Sequence, residues 1–268
     1  MRPFRSRVDS SRTVHPAITK ASTFVDYCGR IVQSGPGGTI NTLIFDFDGT
    51  VALGLGPVRA YGRKVSEAMA DGQAFQEALF AELSQAQQKG AVPAPALDAY
   101  DLVRLRATAQ GVPSHVIDQA YLDSRTLLAT DAAPVVVPDG LADFLSEVES
   151  HPGIRVALVT NAPPVGLDRA LELMGLSGRF DLQRTSAGKP RALGRMARGW
   201  LEQGRVLSIG DIWRNDLRPV HDVGGDTALI GRPPLGARPT FHAPTLPSLY
   251  PDVCQWVANT TSTHSTHM

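Results

Sequence analysis

The chain has 268 residues, with 26 basic and 26 acidic side chains, 43% hydrophobic residues and 19% charged ones. That composition excludes a disordered chain and is long enough for one α/β domain with an insertion, or for two modest domains. A net charge of zero gives no electrostatic footing for nucleic acid or an anionic membrane surface, and no apolar run approaches the ~20 residues of a membrane span.

In chain order, the first segment is "MRPFRSRVDSSRTVHPAITKAS", rich in Arg and Ser with Asp9 as its single acid. It lacks the apolar core of a secretory signal, so residues 1–40 read as a mobile basic extension and the protein as cytoplasmic. The glycines of "SGPGGTI" are no phosphate loop, because no Gly-Lys-Ser/Thr follows; they read as a turn before the first core strand. Cys28 and Cys254 lie near opposite ends, form no metal spacing, and read as reduced thiols.

From Thr42 short apolar runs alternate with helical stretches. "LIFDF", "IRVALVT" (Ile154–Thr160), "RVLSIG" (Arg205–Gly210) and "DTALI" (Asp226–Ile230) predict strands. They are nearly continuous apolar runs rather than alternating ones, as in a parallel sheet covered on both faces. Helices are predicted at Gly140–Val148, Val165–Met174, Arg191–Glu202 and Asp216–Val223. The alternation indicates an α/β, doubly wound (Rossmann-like) parallel sheet.

Val58 to Thr130 breaks the pattern. It holds no convincing strand, and "VRAYGRKVSEAMA", "FQEALFAELSQAQQK", "APALDAYDLVRLRATA" and "SHVIDQAYLDSRTLLA" predict about four amphipathic helices. The expected organisation is therefore an extension at 1–40, an α/β core at 41–56 and 138–257, a helical insertion at 57–137, and a disordered polar tail at 258–268. His264 and His267 in that tail read as solvated.

Ligands of parallel α/β sheets sit beyond the carboxyl ends of the strands. Those ends carry Asp46, Asp48, Gly49 and Thr50; Thr160 and Asn161; and Asp211, Asn215 and Asp216. Lys189 precedes Pro190 at a helix start, where Pro is tolerated. Singly, each has an ordinary reading. Asp-x-Asp also serves Mn²⁺ in some sugar transferases, and Thr-Asn can cap a helix. Together they place four carboxylates in one crevice, which calls for a hard divalent cation such as Mg²⁺. A carboxylate can also attack phosphorus directly and divide one hard step into two.

In this order the motifs "DFDGTV", "TN", "KP" and "GDIWRND" resemble the four signatures of the haloacid dehalogenase-like (HAD) superfamily of hydrolases. The resemblance covers about residues 42–232, and the insertion is similar to the family's α-helical cap. It implies that Asp46 is the nucleophile and a metal ligand. Asp48 would be the acid and base, giving its backbone carbonyl to the metal, and Asp211 and Asp216 would complete that site. Lys189, Thr160 and the backbone N–H groups around Gly49 and Asn161 would bind the phosphoryl oxygens. Superfamily members that displace halide resemble this pattern without the second aspartate, so Asp48 points to a phosphate ester, whose leaving oxygen needs a proton.

The resulting expectation is a Mg²⁺-dependent phosphatase for a small phosphorylated metabolite, acting through an aspartyl-phosphate. A phosphomutase and a catalytically silent phosphate-binding protein remain as alternatives. Neither nucleic acid nor membrane is an expected partner. In the cap, Arg59, Arg63, Lys64, Arg104 and Arg106 read equally as substrate contacts or solvated faces. Tyr61 and Tyr121 read as core or rim, and Trp213 has the crevice entrance as one place for it.

Overall fold

The computed structural model describes residues 39–262, with two short strands before them. Those strands, β1 (Thr23–Val25) and β2 (Ile31–Gln33), pair antiparallel. The rest of the expected extension, Cys28 included, lies outside the described residues, as do His264 and His267.

The core sheet has six parallel strands: β3 (Asn41–Phe45), β4 (Ile154–Val159), β5 (Leu182–Arg184), β6 (Val206–Gly210), β7 (Asp226–Ile230) and β8 (Phe241–Ala243). Their order across the sheet is β5-β4-β3-β6-β7-β8. The chain builds outward from β3 on one side, then returns to place β6 on the other side. The carboxyl end of β3 is thus the switch point where such sheets bind ligands.

Every residue of β3 is buried. Leu43 and Phe45 face one layer with α5 (Leu141–Glu149), α6 (Leu167–Leu173) and α9 (Tyr250–Ser262). Ile44 faces the opposite layer with α7 (Arg191–Leu201) and α8 (Arg218–His221). Cover on both faces is why the strand reads as an uninterrupted apolar run.

Two departures from the expected elements concern edges and ends. The strands β5 and β8 have three residues each and lie at the two sheet edges. The tail expected from residue 258 begins instead as the last turn of α9, which continues to Ser262. Trp256 anchors this helix: its indole N–H donates to Asp226 Oδ2 at 2.8 Å, and Arg205 stands 4.8 Å over its ring. Cys254, in the same helix, is a free thiol.

The insertion forms α1 (Gly56–Ser66), α2 (Gly72–Lys89), α3 (Ala99–Ala109) and α4 (Ser114–Arg125). Val58, Tyr61 and Val65 recur at helical spacing along α1 and bury against Leu79 and Leu83 of α2, Leu102 of α3 and Ile117 of α4. This is a hydrophobic core of its own. Asp98 caps α3 by accepting the Asp101 N–H at 2.7 Å. The two chains joining cap to core run side by side, with Leu53 and Val136 exchanging both backbone hydrogen bonds at 2.9 Å. Among the described residues no helix is long and apolar enough to cross a membrane.

Candidate active site

Asp46 follows the last residue of β3. Its N–H still donates to the Ile209 carbonyl at 3.0 Å, so the backbone keeps the sheet register while its buried carboxylate leaves the apolar layer. Asp211 follows the end of the neighbouring strand β6. Asp216 returns to the same place because Trp213–Leu217 forms one π-helical turn, where an ordinary helix starting at Asp216 was expected. Ser208 Oγ holds the Asp216 carbonyl at 2.7 Å, and the Ile212 N–H donates to Asp216 Oδ2 at 3.0 Å.

One carboxylate oxygen from each of Asp46, Asp211 and Asp216 lies within 4.8 Å of the others. Lys189 Nζ joins two of them, donating to Asp46 Oδ1 at 2.5 Å and to Asp216 Oδ1 at 2.7 Å. Asn161 fixes the lysine's backbone: its Oδ1 accepts the Lys189 N–H at 2.7 Å and its Nδ2 donates to the Lys189 carbonyl at 3.2 Å.

Three carboxylates, those of Asp46 and Asp216 buried, against one ammonium leave an excess of negative charge, and the proton affinities of the groups follow it. Burial, and next the Asp216 carboxylate, push Asp46 up to about 7, with Lys189 pulling the other way. Burial and then Asp46 and Asp216 raise Asp211 well above the ordinary carboxylate range. Burial works against the Lys189 ammonium, but its two carboxylates outweigh that and raise it above the usual lysine range.

These residues fit a divalent cation. All the donors are hard oxygens, and Asp211 Oδ1 is buried without a hydrogen-bond partner. Gly49 makes room for Asp211. It sits at φ +90°, and a Cβ there would come within 2.5 Å of Asp211 Oδ2.

Two expectations need correction. The Gly49 N–H does not face a phosphate, because it donates to the Ala52 carbonyl at 2.9 Å in the turn that closes the motif. Among the described residues, the neighbouring N–H groups with no acceptor are those of Phe47 and Asp48. Nor do four carboxylates converge. Asp48 turns its side chain into the cap, where the Tyr100 hydroxyl donates to Oδ1 at 2.9 Å. Arg125 Nη1 donates to Oδ1 at 2.9 Å and to Oδ2 at 3.2 Å. The Asp48 carboxylate is not part of the cluster formed by Asp46, Asp211 and Asp216.

Arg125, only 1% exposed, stands over the Phe47 ring with its guanidinium carbon 5.7 Å from the ring centroid. Neither Arg125 nor Tyr100 stands out in the sequence. Arg125 ends an ordinary amphipathic helix and is one of 22 arginines, and only the tertiary fold brings it to Asp48.

Between core and cap lies a cavity of about 350 Å³. Asp46, Asp48, Thr160, Asn161, Lys189 and Asp216 line its core side. Thr160 Oγ accepts the Ala162 N–H at 3.0 Å, which leaves its proton free to be donated. Of the cap's basic residues only Arg104 reaches the lining. Arg59 bonds Ser84 and stacks on Phe80, Arg63 bonds the Ala132 carbonyl, Lys64 pairs with Glu67, and Arg106 pairs with Glu82. Tyr61 and Tyr121 belong both to the cap core and to the cavity wall. Trp213 packs on His221, ring centroids 5.5 Å apart, and is not part of the wall.

A parallel sheet with a carboxylate nucleophile candidate at its switch point, a neighbouring lysine and a helical cap defines a hydrolase class. The profile of the haloacid dehalogenase-like hydrolases matches residues 40–224, and the chain belongs to that family. Among solved structures it is similar to the HAD-hydrolase YfnB from Bacillus subtilis, solved bound to magnesium. The two share 19% identity at a TM-score of 0.55, over 80% of this chain and 99% of that one. A haloacid dehalogenase-like family hydrolase from Xanthomonas campestris gives 18% identity and a TM-score of 0.52, over 87% of this chain and 98% of the other. At such identities the likeness speaks for the fold alone. A comparison with curated proteins finds no match.

Proposed function

We propose that this HAD-like hydrolase is a Mg²⁺-dependent phosphatase that cleaves a small phosphomonoester through an aspartyl-phosphate on Asp46. The observation that carries the reading is a second carboxylate, Asp48, lining the same cavity as Asp46 and held there by Arg125 and Tyr100. Displacing a halide needs no proton donor, whereas an alkoxide leaving from phosphorus does.

An Asp46 carboxylate oxygen forms the bond to phosphorus as the ester P–O bond breaks, and Asp48 delivers a proton to the departing oxygen. Asp48 then takes a proton from the water that attacks the acyl phosphate, and the bond from phosphorus to Asp46 breaks. Lys189, the Thr160 hydroxyl and the N–H groups of Phe47, Asp48 and Asn161 receive the phosphoryl oxygens. Asp46, Asp211, the Asp48 carbonyl and Asp216, directly or through water, would hold Mg²⁺. When bound it neutralises charge so that one anion can approach another. The magnesium bound by YfnB is consonant with this assignment. The cavity size suits a small soluble ester, and the acting compartment in this reading is the cytoplasm.

The test is turnover of p-nitrophenyl phosphate with Mg²⁺, beside halide release from 2-haloacids. Phosphatase turnover that disappears in Asp46→Asn is the expected result. Turnover surviving that substitution removes Asp46 as nucleophile, and halide release without phosphate release overturns the reading.

A further inference from the structure

The cap end of the cavity differs in chemistry from the core end. Its wall is three tyrosines in mutual contact, with ring centroids 5.3 Å apart for Tyr61 and Tyr121, 5.8 Å for Tyr100 and Tyr121, and 6.4 Å for Tyr61 and Tyr100. Tyr61 is 4% exposed, lines the cavity, and has no hydrogen-bond partner for its hydroxyl among the described residues. The side chain is buried while its hydroxyl is not sealed from solvent, so the hydroxyl opens on the cavity that a ligand would fill.

Around this wall stand Asp98, Asp101 and Asp118, with Arg104 as the cap cation in the lining; Arg125, 3.3 Å from the Tyr100 hydroxyl, is paired with Asp48. Arg104 is already paired with Asp101 at 2.6 Å. Asp98 has a backbone partner but no cation, and Asp118 has no partner among the described residues. Asp118 stands close enough to contribute, after burial, to the raised proton affinity of the Tyr61 hydroxyl. The other lining cation, Lys189, is held at the core end by two carboxylates. A group entering the cap end therefore meets aromatic faces, a free hydroxyl and two uncompensated carboxylates.

We propose that the cap end is a subsite for a positively charged leaving group, an amino or quaternary-ammonium alcohol esterified to the phosphate. This rests on the phosphatase reading and narrows it. A cation gains from the tyrosine faces and from Asp98 and Asp118, whereas a carboxylate at the same place is repelled by both.

The experiment compares kcat/KM of the full chain, with Mg²⁺, for esters of similar size: choline phosphate, ethanolamine phosphate, ethyl phosphate and glycolate phosphate. The cationic esters are expected to exceed the anionic one by about tenfold or more. That ratio should narrow by about the same factor in Asp118→Asn combined with Asp98→Asn, where Asn keeps the helix cap. Hydrolysis with no charge preference overturns the subsite and leaves the phosphatase standing. Preference for glycolate phosphate that vanishes in Arg104→Gln also overturns it, and gives the cap end to an anion. A second arm titrates choline and glycolate, as free alcohols, into the full chain by calorimetry. Choline binding weakened by Asp118→Asn, with no ester hydrolysed, upholds the subsite and removes the phosphatase reading. Neither binding nor hydrolysis overturns both.

Discussion

Asp48 is the residue on which the reaction type turns, and two cap side chains decide where its carboxylate points. Arg125 is buried and Asp48 is about one-fifth exposed, so their ion pair is more than a surface contact. Arg125→Met removes the guanidinium and leaves Tyr100 as the remaining donor to Asp48. Because Asp48 keeps that bond and some water, the expected destabilisation lies below the ~3–5 kcal/mol of breaking a fully buried pair. The effect on turnover is larger in relative terms: kcat should fall about 10- to 100-fold, a part of what general acid–base catalysis contributes. Arg125→Lys should recover part of it. Denaturant titration and steady-state kinetics check this, and a Met variant with full kcat would sink the positioning role. Lys189→Met should cost about 3–4 kcal/mol of transition-state stabilisation, seen as a loss in kcat/KM, since it removes the one ammonium between Asp46 and Asp216. The residues at the strand ends were legible in the sequence because spacing and strand position mark Asp46, Thr160, Lys189, Asp211 and Asp216 together. Arg125 and Tyr100 were not legible, since no local pattern separates a helical Arg or Tyr that reaches across to the core from one that faces water. Gly49 was legible as a close-approach residue, but what approaches it is the Asp211 side chain rather than a phosphate.

At the scale of elements, cap and core meet through two connectors lying side by side, and Gly56 marks their tightest point. A Cβ there would stand 2.0 Å from the Pro134 carbonyl oxygen, a backbone atom that cannot swing away. Gly56→Val should push the connectors apart and misplace α1, with Tyr61 on it. The expected cost is about 1–3 kcal/mol, as for overpacking elsewhere, with a drop in kcat/KM because the cap wall moves relative to Asp46. Urea unfolding and ester kinetics read the two effects, and a variant as stable and active as the parent would show that the connectors have slack. The same scale shows which elements a sequence can announce. The strands β3, β4, β6 and β7 carry continuous apolar runs because helices cover them on both faces. The edge strand β5, Leu182-Gln183-Arg184, has one apolar residue, and its identity as a strand comes from pairing with β4. The π-helical turn at Trp213–Leu217 was read as the start of a helix, because its geometry is set by the hydrogen bonds that seat Asp216 and not by helical propensity.

For the whole molecule, the buried carboxylates tie stability to pH and to the cation. With Asp46 raised from 3.8 to about 7, the folded state of the cation-free protein holds a proton that the unfolded chain gives up at lower pH. Stability from this group is complete below about 4 and is lost as pH rises through about 7, and the raised Asp211 adds to the same trend. A divalent cation binds the ionised carboxylates, so its affinity rises over the same interval as protons leave. Binding to the folded state alone stabilises it by mass action. Thermal unfolding with and without Mg²⁺, from pH 5 to pH 8, should therefore show two diverging curves. Without the cation the melting temperature falls across this range by more than in Asp46→Asn, which has no carboxyl to ionise there. With the cation the fall is reduced or reversed, and the gap between the curves widens with pH. A gap that stays constant from pH 5 to pH 8 would mean that Asp46 and Asp211 do not exchange protons for the metal. The carboxylate cluster would then need another account of its charge.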